Sequence, residues 1–263
     1  MDQPGEGARN TRAQNQRIEK WRIVLKRGGF RPRTVVDVGV GRGTPELYEA
    51  FPEAVQILIE PLKEHESHLR DILKEYKGQY FLTAVGARKQ QAVMNVAPNN
   101  MYMSSILERT HLPPTEFQTE ERQIQVTTLD SLMGEHGFEP PFGLKIDAEG
   151  FEYQIMRGAR AFLRETQFVI AEVSVTERFK ESYMLSEFTE LMDRNGFFLW
   201  DVLRIPNHRR YVDAVFRRSV CQSQLRQKLQ AQQSQLQQIR SSKTWKLLKR
   251  VNRARTKVLR RKA

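Results

Sequence analysis

The chain has 263 residues, enough for one large α/β domain or two small ones, and a formal net charge of +12. The charge is uneven, because 14 of the 43 Lys and Arg but none of the 31 Asp and Glu lie in residues 218–263. The body, 1–217, is close to neutral, which removes the main compositional argument for nucleic-acid binding by it. The single cysteine, Cys221, excludes an internal disulfide framework and is typical of a reducing compartment.

The sequence predicts a cytoplasmic protein. Its first residues are polar and lack the apolar stretch of a secretory signal, and we expect residues 1–14 to be disordered. No apolar run reaches the ~20 residues that a membrane-spanning helix needs.

Helices and strands alternate through the first half of the body. Residues 15–26 predict a short amphipathic helix. The almost uniformly apolar, β-branched run TVVDVGV (34–40) is typical of a strand buried on both faces, and a second strand, VQILIE (55–60), follows a helix. A further helix leads to the strand QYFLTAVGA (79–87). This order predicts a doubly wound α/β fold around a parallel sheet.

The second half interrupts this order and then resumes it. Residues 88–121 allow a short strand in AVMNVAP and are otherwise loop-like, which favours a lid or substrate loop inserted into the domain. The elements predicted after it are a strand in RQIQVTTLDSL, a strand at 142–147, a helix at 151–163, a strand at 168–175 and a helix at 183–194. FFLWDVL and YVDAVF predict a closing antiparallel pair, so the body should end near residue 217.

The remaining residues, 218–263, predict a helical basic tail. The stretch 218–240 is Gln-rich with leucines at heptad-like spacing, which would allow a short oligomerisation helix. Residues 241–263 place Trp245 and Leu248 on an apolar face among lysines and arginines, as in helices that lie on anionic membranes. The run SSKTWKLLKRV also resembles C-terminal tails of bacterial polysaccharide glycosyltransferases. We therefore expect peripheral attachment at the inner face of the membrane, with a solvated extension and RNA binding as alternatives.

A glycine-rich loop follows the first strand. VVDVGVGRGTPE (35–46) leads into Gly39, Gly41 and Gly43, with Thr44 as the predicted N-cap of the next helix. Glycines let the backbone approach a ligand closely, and a helix N-terminus favours negative groups. The dinucleotide-binding fingerprint is excluded, because Thr44 stands where its third glycine belongs.

Two carboxylates flank this loop. Asp37, two residues before the first glycine, can hold the ammonium of an amino acid or a water near it. Glu60 closes the second strand, where an acidic side chain can accept both hydroxyl hydrogens of a ribose. A nucleoside cofactor with an amino-acid end fits both, which favours S-adenosyl-L-methionine over a tight turn without a ligand.

The ordered motifs VVDVGVGRGT, ILIEP, AVGA, VTTLDSL, LKIDAEGFEYQIMRGARAFL and VIAEVS resemble the FkbM family of S-adenosylmethionine-dependent methyltransferases over roughly residues 22–217. The resemblance implies a class I, Rossmann-like fold with a mostly parallel seven-stranded sheet and an antiparallel last hairpin. It also implies O-methylation, usually of sugars or polyketide-type metabolites. By position, it implies cofactor contacts for Asp37, Gly39 and Gly41 (methionine part), Glu60 (ribose) and Val85 or its neighbours (adenine). The family more often has Ala-Asn where Val40-Gly41 stands.

Methyl transfer to a sugar hydroxyl needs a base or a metal, because the hydroxyl is a poor acid. Asp147 and Glu172 end neighbouring core strands at the edge where ligands bind in open α/β sheets, so both are predicted catalytic or orienting residues. His111 in the insertion and His208 in the last hairpin are candidate bases, with plain surface histidines as the alternative. A divalent ion held by Asp147, Glu149 or Glu172 fits the residue types, although no ligand spacing requires one.

Two other acids predict structural roles. Glu152 lies in the first turn of the helix at 151–163, where a carboxylate complements the helix dipole. Asp130, in TLDSL, predicts the cap of a turn or helix. The run KIDAEGFE is then one site residue, Asp147, followed by a helix start.

The sequence thus predicts a bacterial enzyme that moves a methyl group from S-adenosylmethionine to a hydroxyl of a sugar in a surface polysaccharide or glycolipid. One alternative is an RNA methyltransferase that uses the basic tail, although DAEG stands where such enzymes carry an Asn/Asp-Pro-Pro-Tyr motif. Another is a non-catalytic module of the same fold that tethers partners. The intact cofactor motif argues against the module, and nucleic acid is not an expected partner.

Overall fold

The computed structural model describes residues 19–110, 118–204 and 210–219, together with Ser234. The chain divides into two units, Met1–Arg218 and Ser219–Ala263, and the architecture below is that of the first. The candidate bases His111 and His208, the predicted disordered N-terminus and most of the predicted tail lie outside the described residues.

Strands and short helices alternate along the described chain. The strands are β1 (Thr34–Val38), β2 (Val55–Ile59), β3 (Gly78–Phe81), β4 (Ala84–Val85), β5 (Gln90–Val96), β6 (Glu120–Thr127), β7 (Phe142–Ile146), β8 (Thr166–Ser174), β9 (Phe197–Arg204) and β10 (Tyr211–Arg218). The helices are α1 (19–27), α2 (Pro45–Ala50), α3 (Glu66–Glu75), α4 (Leu129–His136), α5 (Glu152–Arg157), α6 (Arg160–Arg164) and α7 (Leu185–Arg194), with 3-10 turns at Lys63–His65 and Met101–Met103.

Seven strands form one sheet in the order β3-β2-β1-β7-β8-β10-β9. All neighbours are parallel except β10, which runs antiparallel to both β8 and β9. In the central register Asp37 of β1 lies between Leu58 of β2 and Lys145 of β7. The predicted class I methyltransferase fold, with its antiparallel last pair, is confirmed.

A smaller sheet corrects the predicted third strand. Residues 79–87 do not form one strand, because β3 joins the main sheet while β4 leaves it and pairs with β6. The order of this second sheet is β4-β6-β5, and β5 confirms the short strand that AVMNVAP allows within the insertion 88–121. Along β5, more exposed side chains alternate with more buried ones as far as Val96, which is the pattern of a half-buried strand. The role of 88–121 as a lid stays a prediction.

The predicted helix 151–163 is two helices, α5 and α6, that meet at Gly158. A Cβ at Gly158 would lie 2.0 Å from the carbonyl oxygen of Gly86, so the loop after β4 approaches too closely for any larger residue. Asp130 accepts hydrogen bonds from the backbone N–H groups of Ala161 (3.0 Å) and Phe162 (2.8 Å) at the start of α6. The predicted capping role of Asp130 is therefore confirmed.

Both faces of the main sheet are covered, which gives three layers. Helices α4 to α7 pack one face through residues such as Leu129, Ile155 and Phe188. Helices α1 to α3 pack the other through residues such as Trp21 and Leu47. Burial on both faces explains why β1 and β7 are almost uniformly apolar. Within the described residues no helix is long and apolar enough to cross a bilayer.

Candidate active site

A cavity of about 380 Å³ opens where the parallel strands end, at the carboxyl edge of the main sheet. The predicted site residues that line it are Gly39, Gly41, Glu60, Val85, Asp147 and Glu172. Open α/β sheets bind ligands at this edge, where the chain turns from strand to helix. The fold therefore brings most of the predicted site together.

The glycine loop has a conformation that only glycine adopts easily. Gly39 has φ +72°, and a Cβ there would lie 1.8 Å from the carbonyl oxygen of Asp147. Gly41 has φ +55°, and a Cβ there would lie 2.9 Å from the ring of Tyr102. Thr44 occupies the predicted N-cap position of α2, but its side chain makes no capping hydrogen bond. The loop is thus held between the turn after β7 and Tyr102.

Glu60 fixes the glycine loop from the end of β2. Its carboxylate is 5% exposed and accepts hydrogen bonds from the backbone N–H groups of Gly41 (2.9 Å) and Leu62 (3.0 Å). Burial raises the pKa of Glu60, and the two N–H donors lower it less. Each carboxylate oxygen retains a further acceptor position, so Glu60 can also accept the hydroxyl hydrogens of a ribose.

Asp37 lies beneath the cavity and is not among the residues that line it. It is completely buried, and its Oδ2 accepts a 2.6 Å hydrogen bond from the Tyr48 hydroxyl. Burial and the Asp37 carboxylate raise the pKa of Tyr48 well above its usual value, so Tyr48 stays a donor. The predicted contact of Asp37 with the cofactor stays a prediction.

Lys145 is a site residue that the sequence analysis missed. Its Nζ lies 3.2 Å from Asp37 Oδ1 and 3.9 Å from Asp147 Oδ2, and donates a 3.3 Å hydrogen bond to the carbonyl oxygen of Gly39. Burial opposes the charged form, yet Asp37 and Asp147 raise the pKa of Lys145 above its usual value. The sequence indicates this residue, because Lys145 is the charged residue of the otherwise apolar strand FGLKI. A lysine is almost never fully buried without a partner.

Three carboxylates meet at the cavity wall beyond Lys145. Ligand atoms of Asp147, Glu149 and Glu172 lie within 4.8 Å of one another, and each of these residues lines the cavity. Burial, followed by the charges of Asp147 and Glu149, raises the pKa of Glu172 well above its usual value. Asp147, with 38% of its side chain exposed, is the most open of the three.

Two guanidinium groups partly neutralise this cluster. Arg178 donates to Glu172 Oε1 (2.6 Å) and to Glu149 Oε2 (2.8 Å), and Arg109 donates to the same Glu149 oxygen (2.8 Å). No local pattern at Arg109 or Arg178 indicates their contacts with Glu149, because both arginines come from irregular segments and lie 40 and 29 positions from this acid. The three acids are the group among the described residues that could hold a metal ion, but such an ion would compete with both arginines.

Glu152 braces the turn that carries Asp147 and Glu149. Its Oε1 accepts hydrogen bonds from the backbone N–H groups of Ala148 (2.8 Å) and Gly150 (3.2 Å), and its Oε2 accepts one from the Tyr183 hydroxyl. Glu152 lies in the first turn of α5, as predicted, and its carboxylate binds N–H groups of the turn that precedes this helix. Because Glu152 is buried, its pKa rises to about 7.

The family profile described as the methyltransferase FkbM domain matches residues 37–199, more than half of the chain. The chain therefore belongs to the FkbM methyltransferase family, and its cofactor is S-adenosyl-L-methionine. The cavity fits this cofactor, because it combines a glycine loop open to close approach with a buried carboxylate at the end of β2. A search of curated protein sequences finds no match.

Solved structures of similar fold are distant relatives. Magnesium protoporphyrin IX methyltransferase from Synechocystis PCC 6803, crystallised with S-adenosylmethionine, is 10% identical with a TM-score of 0.44, covering 83% of this chain and 86% of its own. The 1,6-didemethyltoxoflavin-N1-methyltransferase of Burkholderia thailandensis is 13% identical with a TM-score of 0.41, covering 81% and 83%. Neither likeness is close enough to assign an acceptor.

Replacement of Glu60 tests the cofactor site. We expect Glu60→Ala to lower the affinity for S-adenosylhomocysteine at least about tenfold, because it removes the ribose acceptor and releases the Gly41 N–H. Isothermal titration calorimetry measures this affinity. Glu64→Ala, which removes an acid that pairs with Arg122 on the surface, is the matched control. Affinity of the wild-type order in Glu60→Ala would contradict the ribose assignment.

The raised pKa of Glu152 predicts a specific dependence of stability on pH. The folded state holds the Glu152 proton more tightly than the unfolded chain, so this group stabilises the fold below about pH 4.5, and the stabilisation is lost as pH rises through about 7. Urea unfolding of wild type and Glu152→Gln at pH 5 and pH 8 should show it. The difference in unfolding free energy between the two proteins should change by up to about 3 kcal/mol, in favour of Glu152→Gln at pH 8.

The exposed Glu139→Gln supplies the control for this comparison, since Glu139 forms only a surface ion pair with Arg33. Its stability should follow the wild-type profile at every pH. Parallel profiles for wild type and Glu152→Gln would show that Glu152 does not titrate in this range.

Proposed function

We propose that this methyltransferase transfers the methyl group to a hydroxyl of a sugar in a bacterial cell-surface polysaccharide or glycolipid. The observation that supports O-methylation best is the pair Asp147–Glu172 at the cavity wall, beside the glycine loop. A hydroxyl oxygen must lose its proton during transfer, so an oxygen acceptor needs a nearby base more than most nitrogen acceptors do.

The chain's own residues can carry out the proton transfer. S-Adenosylmethionine, when bound, supplies a methyl group on a positively charged sulfur. Asp147 accepts a hydrogen bond from the acceptor hydroxyl and orients its oxygen. Burial and the charges of Asp147 and Glu149 raise the pKa of Glu172, so Glu172, which lies close to Asp147, binds a proton more readily than an isolated carboxylate would. The hydroxyl proton would pass to these carboxylates as the acceptor oxygen takes the methyl group, and the bond between the methyl carbon and the sulfur would break to leave S-adenosylhomocysteine.

Arg178 keeps Glu172 and Glu149 in place. It binds Glu172 and Glu149 at once, which holds both carboxylates at the wall despite their mutual repulsion. The acids that line the cavity are Glu60, Asp147, Glu149, Glu172 and Asp213. A wall rich in hydrogen-bond acceptors suits an acceptor molecule with several hydroxyl groups, which supports a sugar.

The basic tail supports a substrate at the membrane. Residues 241–263 combine Trp245 and Leu248 with dense Lys and Arg, and lipid-linked glycans are assembled at such surfaces. We propose that this segment holds the enzyme at the inner face of the membrane. Association of copies through 218–240 stays a prediction.

A complementation experiment tests both the acceptor and the base. A strain that lacks the gene should lose one methyl group per repeat of its surface glycan, measured by mass spectrometry. Wild type should restore this methyl group, and Asp147→Asn should restore less than about a tenth of it, since loss of a general base slows transfer by about 10²-fold or more.

Asp193→Asn, an exposed position on α7, is the matched control and should restore methylation fully. An unchanged glycan in the deletion strain would refute the acceptor, and full restoration by Asp147→Asn would refute the base. Retained S-adenosylhomocysteine binding by Asp147→Asn separates a catalytic defect from loss of the cofactor.

Deletion of 241–263 tests the membrane proposal. The full chain should sediment with vesicles of phosphatidylglycerol and phosphatidylcholine but not with phosphatidylcholine alone, because each Lys or Arg near an anionic surface adds about 1 kcal/mol. The truncated chain should stay in the supernatant with unchanged affinity for S-adenosylhomocysteine. Equal sedimentation of both chains would refute the role of the tail.

A further inference from the structure

Two polar groups of the cavity wall take no part in the proposed proton transfer. The indole of Trp21, on α1, is 3% exposed and lines the cavity, and its Nε1 is buried without a hydrogen-bond partner among the described residues. A buried N–H without a partner destabilises the fold, so it calls for an explanation. The other group is the Lys145 ammonium.

Trp21 and Lys145 belong to the same face of the sheet. Lys145 of β7 is in register with Ile170 of β8, and residues in register on neighbouring parallel strands point to the same face. Ile170 packs in the same apolar cluster as Trp21, and all three residues line the cavity. The indole and the ammonium therefore belong to the same side of the sheet and line the same cavity.

The cavity wall carries two cationic side chains, on different sides of the cavity. Arg42 and Lys145 are the arginine and lysine in the wall, which otherwise carries carboxylates. The Arg42 guanidinium lies over the ring of Tyr102, 5.5 Å from its centroid. Tyr102 also contacts the ring of His65, which follows β2. Lys145 lies at the opposite side, against Gly39 and Asp37. An anion at that side of the cavity has Lys145 as its cationic partner.

The Lys145 ammonium can serve such an anion without giving up its present contacts. An ammonium carries three hydrogens; that of Lys145 donates one to the carbonyl of Gly39 and forms an ion pair with the carboxylate of Asp37. Asp37 and Gly39 thus hold the lysine in one orientation at the wall. An N–H donor that lacks an acceptor and a cation held in the same cavity together suit a carboxylate, which accepts hydrogen bonds and carries a negative charge.

We propose that Lys145 and Trp21 form a carboxylate-binding corner that holds the α-carboxylate of S-adenosylmethionine. The glycine loop beside Lys145 binds the methionine part of the cofactor, which carries this carboxylate. The inference rests on S-adenosylmethionine as the cofactor and not on the proposed acceptor. Asp37, which lines no part of the cavity, then acts as a positioning residue for Lys145.

The test compares two ligands that differ only in the carboxylate, S-adenosylmethionine and decarboxylated S-adenosylmethionine, by isothermal titration calorimetry. Lys145→Met should weaken binding of S-adenosylmethionine about 10- to 100-fold, the range for a hydrogen bond to a charged group. Decarboxylated S-adenosylmethionine should bind Lys145→Met as tightly as wild type or more tightly, because one positive charge is gone. Trp21→Phe, which removes the N–H, should weaken only S-adenosylmethionine, about 3- to 10-fold.

Arg42→Met removes the other cation of the wall and is the matched control. It should change the affinities for the two ligands by the same factor. If Lys145→Met fails to fold by circular dichroism, Trp21→Phe carries the test alone.

The inference is overturned if neither variant changes the ratio of the two affinities. It is equally overturned if Lys145→Met leaves the ratio of the two affinities at its wild-type value but raises the KM for an acidic acceptor. Lys145 and Trp21 would then bind the acceptor and not the cofactor. Because the readout is cofactor binding, failure of the proposed sugar acceptor would leave this result untouched.

Discussion

The site depends on one close contact between the ends of β1 and β7. The backbone N–H of Asp147 donates to the carbonyl of Val38, and Gly39 passes so near Asp147 that no side chain fits between them. This contact places the glycine loop directly beside the acid-bearing turn. Because β2 adjoins β1 on the other side, Glu60 reaches the same loop. The glycine loop, Glu60 and the acid cluster therefore line one cavity.

Buried charge is the second organising feature. Asp37 and Lys145 pair beneath the cavity, while Glu149 and Glu172 share Arg178. Burial of such pairs costs desolvation energy that their attraction barely offsets, so they are weak contributors to stability. Their value here lies in fixed orientation. Asp37 holds the Lys145 ammonium at the cavity wall. Arg178 holds the carboxylates of Glu149 and Glu172 there, so a ligand can contact all three groups.

Local patterns predicted most of the fold but not its departures from regularity. The apolar strands, the closing antiparallel pair and the capping acid Asp130 followed from periodicity and residue type. The break at Gly158 did not, because it results from the approach of Gly86, a residue distant in sequence. The division of 79–87 between two sheets was also missed, since a continuous apolar run does not reveal which sheet each half joins.

The sequence by itself determined the family, the cofactor and the residues at strand ends, because glycine spacing, strand-end acids and motif order are local properties of the chain. Only the tertiary structure decided how these groups are partnered. It placed Asp37 under the wall, joined Lys145 to Gly39, and brought Arg109 and Arg178 to the acid cluster. Such partnerships depend on strand register and on loops that meet across the sheet edge. The residues that these cited contacts join lie 29 to 106 positions apart, so no short window of sequence contains both members.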